Sequence, residues 1–185
     1  MTFLVLGRPR SRTAWVANFL SVPPRSLCLH EGLSEASARP SRLPARLAQL
    51  AAREVGDADT GLIHHLDETL ETFPDARMVL LTGGEAGWHT WASAKGLPSK
   101  LRDRVDADYR RAEERLRDRA LYVDSGLITV DEQEAKRLWL HCLPEGPWSR
   151  DRWAILRDLN VQVIPRSVAR RLRAMGLQTG LGLQI

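Results

Sequence analysis

The stretch TFLVLGRPRSRTAWVANFL, residues 2–20, decides the fold. Its first part, TFLVLG (2–7), is a continuous apolar run ended by Gly7. A short run without polar alternation predicts a strand buried on both faces, as in a parallel sheet. RTAWVANFL (12–20) follows with helical character. The junction carries Arg8, Arg10 and Arg12, with Pro9, Ser11 and Thr13 between and beside them. Positive charge and hydroxyls thus gather where a buried strand gives way to a helix.

Outward from this unit, strand and helix signals alternate. RSLCLH (25–30) reads as a second strand after the breaker pair Pro23-Pro24. Residues 42–54 repeat Leu43, Leu47 and Leu50 at helical spacing. TGLIHHL (60–66) is expected as a short third strand, and DETLETF (67–73) as a helical turn or two closed by Pro74. ARMVLLTGG (76–84) is a strong strand ending in two glycines, and residues 85–95 are expected to be helical. The span 99–119 reads as a long charged helix with Leu101, Val105, Tyr109, Ala112 and Leu116 on its apolar face. ALYVDS (120–125) is a fifth strand candidate. TVDE (129–132) has the form of a capping box, with Thr129 as N-cap and Glu132 three residues on. The helix it opens carries Ala135, Leu138, Trp139 and Cys142, and SRDRWAILRDL (149–159) is another short amphipathic helix. Pro165 is expected to open a last basic helix that Gly176 can stop. Strands alternating with helices imply an α/β three-layer sandwich, with a mainly parallel sheet of four to five strands in one domain spanning 1–185.

Bulk composition fits a globular domain, with 43% hydrophobic and 27% charged residues. No apolar run approaches a membrane span, and the short apolar start lacks a basic n-region. The expectation is a cytoplasmic protein without a membrane partner. Cys28 and Cys142 make no disulfide framework, and Cys28 reads as a core residue. The net charge of +4 is modest, and basic and aromatic residues do not interleave as in RNA-binding proteins, so no nucleic-acid partner is expected. The cations are arginines apart from Lys95, Lys100 and Lys136.

In folds of this class ligands sit beyond the C-terminal ends of the strands. GRPRSRTAW (7–15) occupies that place. The helix start offers N–H groups and a positive dipole end. Arg8, Arg10 and Arg12 add charge there, and Ser11 and Thr13 offer hydroxyls. This is a phosphate cradle in physical terms, although the second glycine and the lysine of GxxxxGK[ST] are absent. The bland alternative is a basic loop with an N-cap serine.

The stretch LGRPRSRTAW (6–15) resembles the 5′-phosphosulfate loop of the sulfotransferase family, written PxSGTxW or PRSGTxxL after an apolar first strand. Pro9, Arg10, Ser11, Thr13 and Trp15 match. FPDARMVLLTG (73–83) and LYVDSGLITVDEQEAKRL (121–138) resemble the family's later segments with less specificity. The resemblance implies a fold related to the nucleotide kinases. It also implies 3′-phosphoadenosine 5′-phosphosulfate (PAPS) as sulfuryl donor and transfer to a hydroxyl or amine of a small-molecule or glycan acceptor. Arg10 would hold the phosphosulfate and its bridging oxygen. Ser11, Thr13 and the backbone N–H groups of residues 11–14, Ala14 included, would hold the remaining oxygens. Trp15 would pack the helix onto the sheet. Two positions depart from the pattern: Arg12 replaces the glycine between serine and threonine, and TGGEAGWHT (82–90) lacks the arginine of the 3′-phosphate motif. Thr82 and Thr90 keep its spacing, while Glu85 adds the opposite charge. The rival readings are a phosphate- or nucleotide-binding relative with an eroded 3′-phosphate site, and a non-enzymatic scaffold that keeps the fold.

Sulfuryl transfer to a hydroxyl needs a base beside the acceptor. CLHEGL (28–33) ends the second strand with His30 and Glu31, and Glu31 is the favoured base. His64 and His65 are competitors. Asp57, Asp59 and Thr60 form a polar turn that binds acceptor or simply ends the preceding helix. Trp88, Trp91 and His89 either line a pocket or pack the core. No His/Cys/Asp spacing resembles a metal site.

Overall fold

Phe3 and Val5 project into one apolar core, and Leu4 and Leu6 into a second one on the other side of the same strand. That is why TFLVLG is apolar at consecutive positions. The computed structural model describes residues 1–35 and 39–158. Strand β1 (Thr2–Gly7) is central. It pairs in parallel with β3 (Glu54–Ala58) on one side and with β4 (Arg77–Thr82) on the other. Strands β2 (Ser26–His30) and β5 (Ala120–Asp124) complete a five-stranded, all-parallel sheet in the order β2-β3-β1-β4-β5.

Helices cover both faces. Helices α1 (Thr13–Leu20), α7 (Glu132–Cys142) and α8 (Arg150–Arg157) pack against Phe3 and Val5. Helices α3 (Leu43–Ala48), α4 (Leu66–Thr72), α5 (Glu85–Ala94) and α6 (Ser99–Leu116) cover the other face, joined by Leu33 of the short α2 (Gly32–Glu35). The expected α/β three-layer architecture is therefore present. Trp15 is buried between α1 and the rest of the first core, and its indole N–H donates to the Leu156 carbonyl at 2.9 Å. Cys28 and Cys142 are fully buried free thiols. Among the described residues no helix is long and apolar enough to cross a membrane.

The third strand lies one segment earlier than expected. EVGDA pairs with β1 and β2, whereas Gly61–His65 of TGLIHHL forms a 3₁₀ turn that sends Leu62 and Ile63 into the second core. The polar residues of β3 are satisfied by distant partners, which the local pattern does not display. Arg25 grips buried Glu54 through two nitrogens at 3.1 Å each. Gly56 is there for space: a Cβ on it would stand 2.1 Å from the Phe3 ring. Helix α3 accordingly ends at Ala48, short of Leu50.

Two further expectations change. The N-cap of α7 is Asp131, whose carboxylate accepts from the Gln133 N–H at 2.8 Å, while Thr129 is held in the 3₁₀ turn Leu127–Thr129. Of the apolar face of α6, Val105, Tyr109, Ala112 and Leu116 are buried, but Leu101 is 42% exposed because it stands in the first turn, beyond the packed part of the helix. The expected helix from Pro165 to Gly176 lies outside the described residues.

Candidate functional site

The chain leaves β1 toward one face of the sheet, through α1, and leaves β3 and β4 toward the other. Neighbouring strands whose connections diverge open a crevice at their C-terminal ends. The loop Arg8–Arg12 crosses that opening. Pro9 and Arg10 are the middle residues of a turn closed by the Ser11 N–H donating to the Arg8 carbonyl at 3.1 Å. Arg10 has φ 76°, which with proline before it is the type II pattern. Arg12 has φ 63° and ψ 26°, left-handed, and it precedes the first helical residue of α1. Non-glycine residues held in this region cost on the order of 1–3 kcal/mol each, and such positions cluster at ligand clamps. A left-handed residue feeding a helix turns successive N–H groups toward one point, the arrangement called an anion nest.

The loop packs tightly beneath itself. Ser11 is fully buried, and its hydroxyl has no hydrogen-bond partner among the described residues. A Cβ on Gly7 would stand 2.3 Å from that hydroxyl oxygen. Serine is therefore not the side-chain cap of α1; Arg12 occupies the N-cap position, with no side-chain cap bond.

An open cleft of about 190 Å³ faces this loop, lined by Pro9, Arg10, Arg12, Thr13 and Ala14. Its opposite wall is His30, Glu31, Thr60 and Trp91. The sequence thus brings the loop and the end of β2 together in one place. Arg12 is among the residues that line the cleft. Arg8 does not line the cleft. Its guanidinium bonds Asp106 of α6 at 3.2 Å and stacks on the Tyr109 ring, 3.6 Å from the centroid, so it anchors the loop to the second core. Nothing near Arg8 in the sequence signals those partners, 98 and more residues away.

The facing wall is polar and partly buried. His30 Nε2 lies 3.3 Å from the Thr13 hydroxyl and 3.8 Å from the Glu31 carboxylate. Burial lowers the His30 pKa below its ordinary value, against the opposing pull of Glu31 and Asp59. The ring is therefore neutral at physiological pH. Glu31 has a left-handed backbone, φ 57°, and its N–H donates to the Ala58 carbonyl at 3.2 Å. Behind the wall, Asp59 accepts from the Leu33 N–H at 2.9 Å and the Gly61 N–H at 2.6 Å, and burial raises its pKa. Asp57 accepts from the Gly32 N–H at 3.0 Å. The expected polar turn is thus in part strand: Asp57 lies in β3, and only Thr60, just beyond it, reaches the cleft.

Other candidates lie elsewhere. Thr82 and Thr90 are not on the cleft lining. His64 bonds Asp108 of α6 at 2.6 Å, and neither His64 nor His65 reaches the cleft. Trp88 is buried against Trp91, with ring centroids 5.8 Å apart, so the pair divides between core and cleft. Glu85, His89 and Asp106 converge within 4.8 Å, but Asp106 already carries the Arg8 guanidinium and His89, at 3.1 Å, which disfavours a metal there.

The chain matches no protein-family model and no curated protein.

Proposed function

We propose that the chain is a PAPS-dependent sulfotransferase, with the 5′-phosphosulfate held by the loop 7–15. The observation that carries this reading is the single cleft in which Arg10, Arg12 and Thr13 face His30 and Glu31. An anion is drawn there by the nest, the α1 dipole and two guanidinium groups. Of the two loop hydroxyls, Thr13 lines the cleft, while the Ser11 hydroxyl is buried against Gly7, off its lining. In the proposed transfer, an acceptor oxygen attacks sulfur and gives its proton to Glu31. The bond between sulfur and the bridging phosphate oxygen breaks, and the charge left on that oxygen is met by Arg10. His30, neutral and bonded to Thr13, orients the wall or takes the proton in place of Glu31.

A second reading has its own support. Thr82 and Thr90 stand off the cleft, and no arginine occupies the 3′-phosphate position, so the site also fits a phosphate or a nucleotide lacking that group. Thermal unfolding with adenosine 3′,5′-bisphosphate, ATP and inorganic phosphate separates the two. Stabilisation by the bisphosphate over ATP supports the transferase. Equal shifts favour the second reading, and no shift with any of the three favours a scaffold. Arg10→Ala is expected to remove every shift; unaltered binding in that variant would refute the cradle.

A further inference from the structure

The cleft has two walls of opposite character. The loop wall is basic, through Arg10 and Arg12. The facing wall carries the Glu31 carboxylate, 54% exposed, with Asp57 and Asp59 buried nearby. Trp91 closes the cleft from α5, and its ring already has a cation at its face: the Arg10 guanidinium carbon stands 5.8 Å from the ring centroid. Trp15, Trp88, Trp139 and Trp153 are buried, and among the described tryptophans only Trp91 lines this cleft.

We propose that the group this cleft takes beside the anion is a small organic cation, a protonated amine that also bears a hydroxyl, seated between the Trp91 ring and the Glu31 carboxylate. The proposal rests on the anion-cradle part of the reading above and names the acceptor class for it. An indole face is the strongest aromatic seat for a cation, and a neighbouring carboxylate adds to it. A bound anion draws the Arg10 guanidinium toward itself and leaves the Trp91 face to the incoming amine. A neutral ring of the same shape gains only the apolar contact, and an anionic one meets the charge of Glu31 and the aspartates behind it.

Three compounds of one shape test this: trans-4-aminocyclohexanol, cyclohexane-1,4-diol and 4-hydroxycyclohexanecarboxylate. Each is titrated calorimetrically into the full-length protein in saturating inorganic phosphate, and again with adenosine 3′,5′-bisphosphate. The amine is expected to bind about tenfold more tightly than the diol, and the acid most weakly. Glu31→Gln and Trp91→Leu are each expected to shrink that preference severalfold, while Trp91→Phe, which keeps an aromatic face, retains most of it. Equal binding of the amine and the diol, tighter binding of the acid, no binding of any compound, or an amine preference untouched in both loss variants would overturn the proposal. If the preference holds in phosphate while the bisphosphate fails to bind, the donor assignment falls and the cation seat stands. If the bisphosphate binds and the preference is absent, the reverse holds.

Discussion

A methyl group on Gly7 would stand 2.3 Å from the Ser11 hydroxyl oxygen and 3.1 Å from the Leu81 Cβ. The end of β1 and the start of the loop thus approach more closely than any side chain at Gly7 permits. Gly7→Ala is expected to push the loop off β1, lowering stability by about 1–3 kcal/mol and weakening phosphate binding. Gly87, in α5, has nothing within 4 Å of an added Cβ. Gly87→Ala is the matched control and is expected to stabilise by about 0.5–1 kcal/mol through helix propensity. Chemical denaturation of both variants, with phosphate titration, checks the pair. Equal effects would show that the packing at Gly7 is looser than the distances imply.

Arg12 combines a left-handed backbone with a side chain on the cleft. Stability and binding therefore pull in opposite directions at this position. Arg12→Gly relieves about 1–2 kcal/mol of backbone strain but gives the unfolded chain more freedom, worth about 0.5–1 kcal/mol. The net expectation is a protein as stable as the parent or slightly more so. Loss of a charge-assisted contact worth roughly 1.5–3 kcal/mol should nonetheless weaken phosphate binding about tenfold or more. Thermal unfolding and calorimetric titration of the one variant read both effects. A stable variant with unchanged phosphate affinity would place Arg12 outside the binding machinery.

The strand, loop and helix of residues 2–20 are legible in the sequence because everything that shapes them is local. The apolar run, the proline before a left-handed residue and the helix start lie within one stretch. β3 is not legible in the same way. Its Glu54 falls at the end of a span with helical spacing and its Asp57 in a polar turn, until Arg25 and the Gly32 N–H are brought to them by folding. The fate of Arg8 is likewise written in α6, where Asp106 and Tyr109 hold it, and not in the loop that carries it. Thr129 shows the limit of a motif: it has the spacing of a cap, but Asp131 is the residue whose carboxylate reaches the free N–H.

Arg152 is an unusual support for the site. It is 2% exposed, and its guanidinium donates to the carbonyls of Asn18, Phe19 and Ser21, where α1 ends. The N-terminus of the same helix faces the cleft, so α8 clamps α1 from the opposite end. Burial lowers the arginine pKa to about 10, which leaves it charged at neutral pH. Arg152→Met roughly keeps the volume but leaves the Asn18, Phe19 and Ser21 carbonyls without these donors, so a loss of about 1–3 kcal/mol for each carbonyl left unsatisfied is expected. Lysine cannot reproduce the fork and should recover only part of it. Denaturant unfolding of the two variants measures the difference, and parity of methionine with the parent would remove Arg152 from the support of α1.

Two histidines contribute to the response to acid. Burial lowers the pKa of His30, beside the cleft, and of His141, whose ring lies 3.0 Å from the Met78 carbonyl. Both titrate near 6.5 in the unfolded chain and below it in the native state. As pH falls through that value the unfolded chain binds protons first, so stability present above 6.5 is lost on acidification. Asp59 acts in the other direction, since burial raises its pKa from 3.8 and favours the native state as it takes up a proton. The histidine effect is therefore read above about pH 5, where unfolded carboxyl groups stay ionised. The melting temperature is expected to fall steadily from pH 7 to pH 5 and to fall less steeply in His30→Asn. Phosphate bound in the cleft adds an anion beside the ring, which favours the imidazolium and should flatten the slope further. A melting temperature that rises toward pH 5, or a slope unchanged both in His30→Asn and in saturating phosphate, would mean that His30 does not titrate as its buried place beside Thr13 requires.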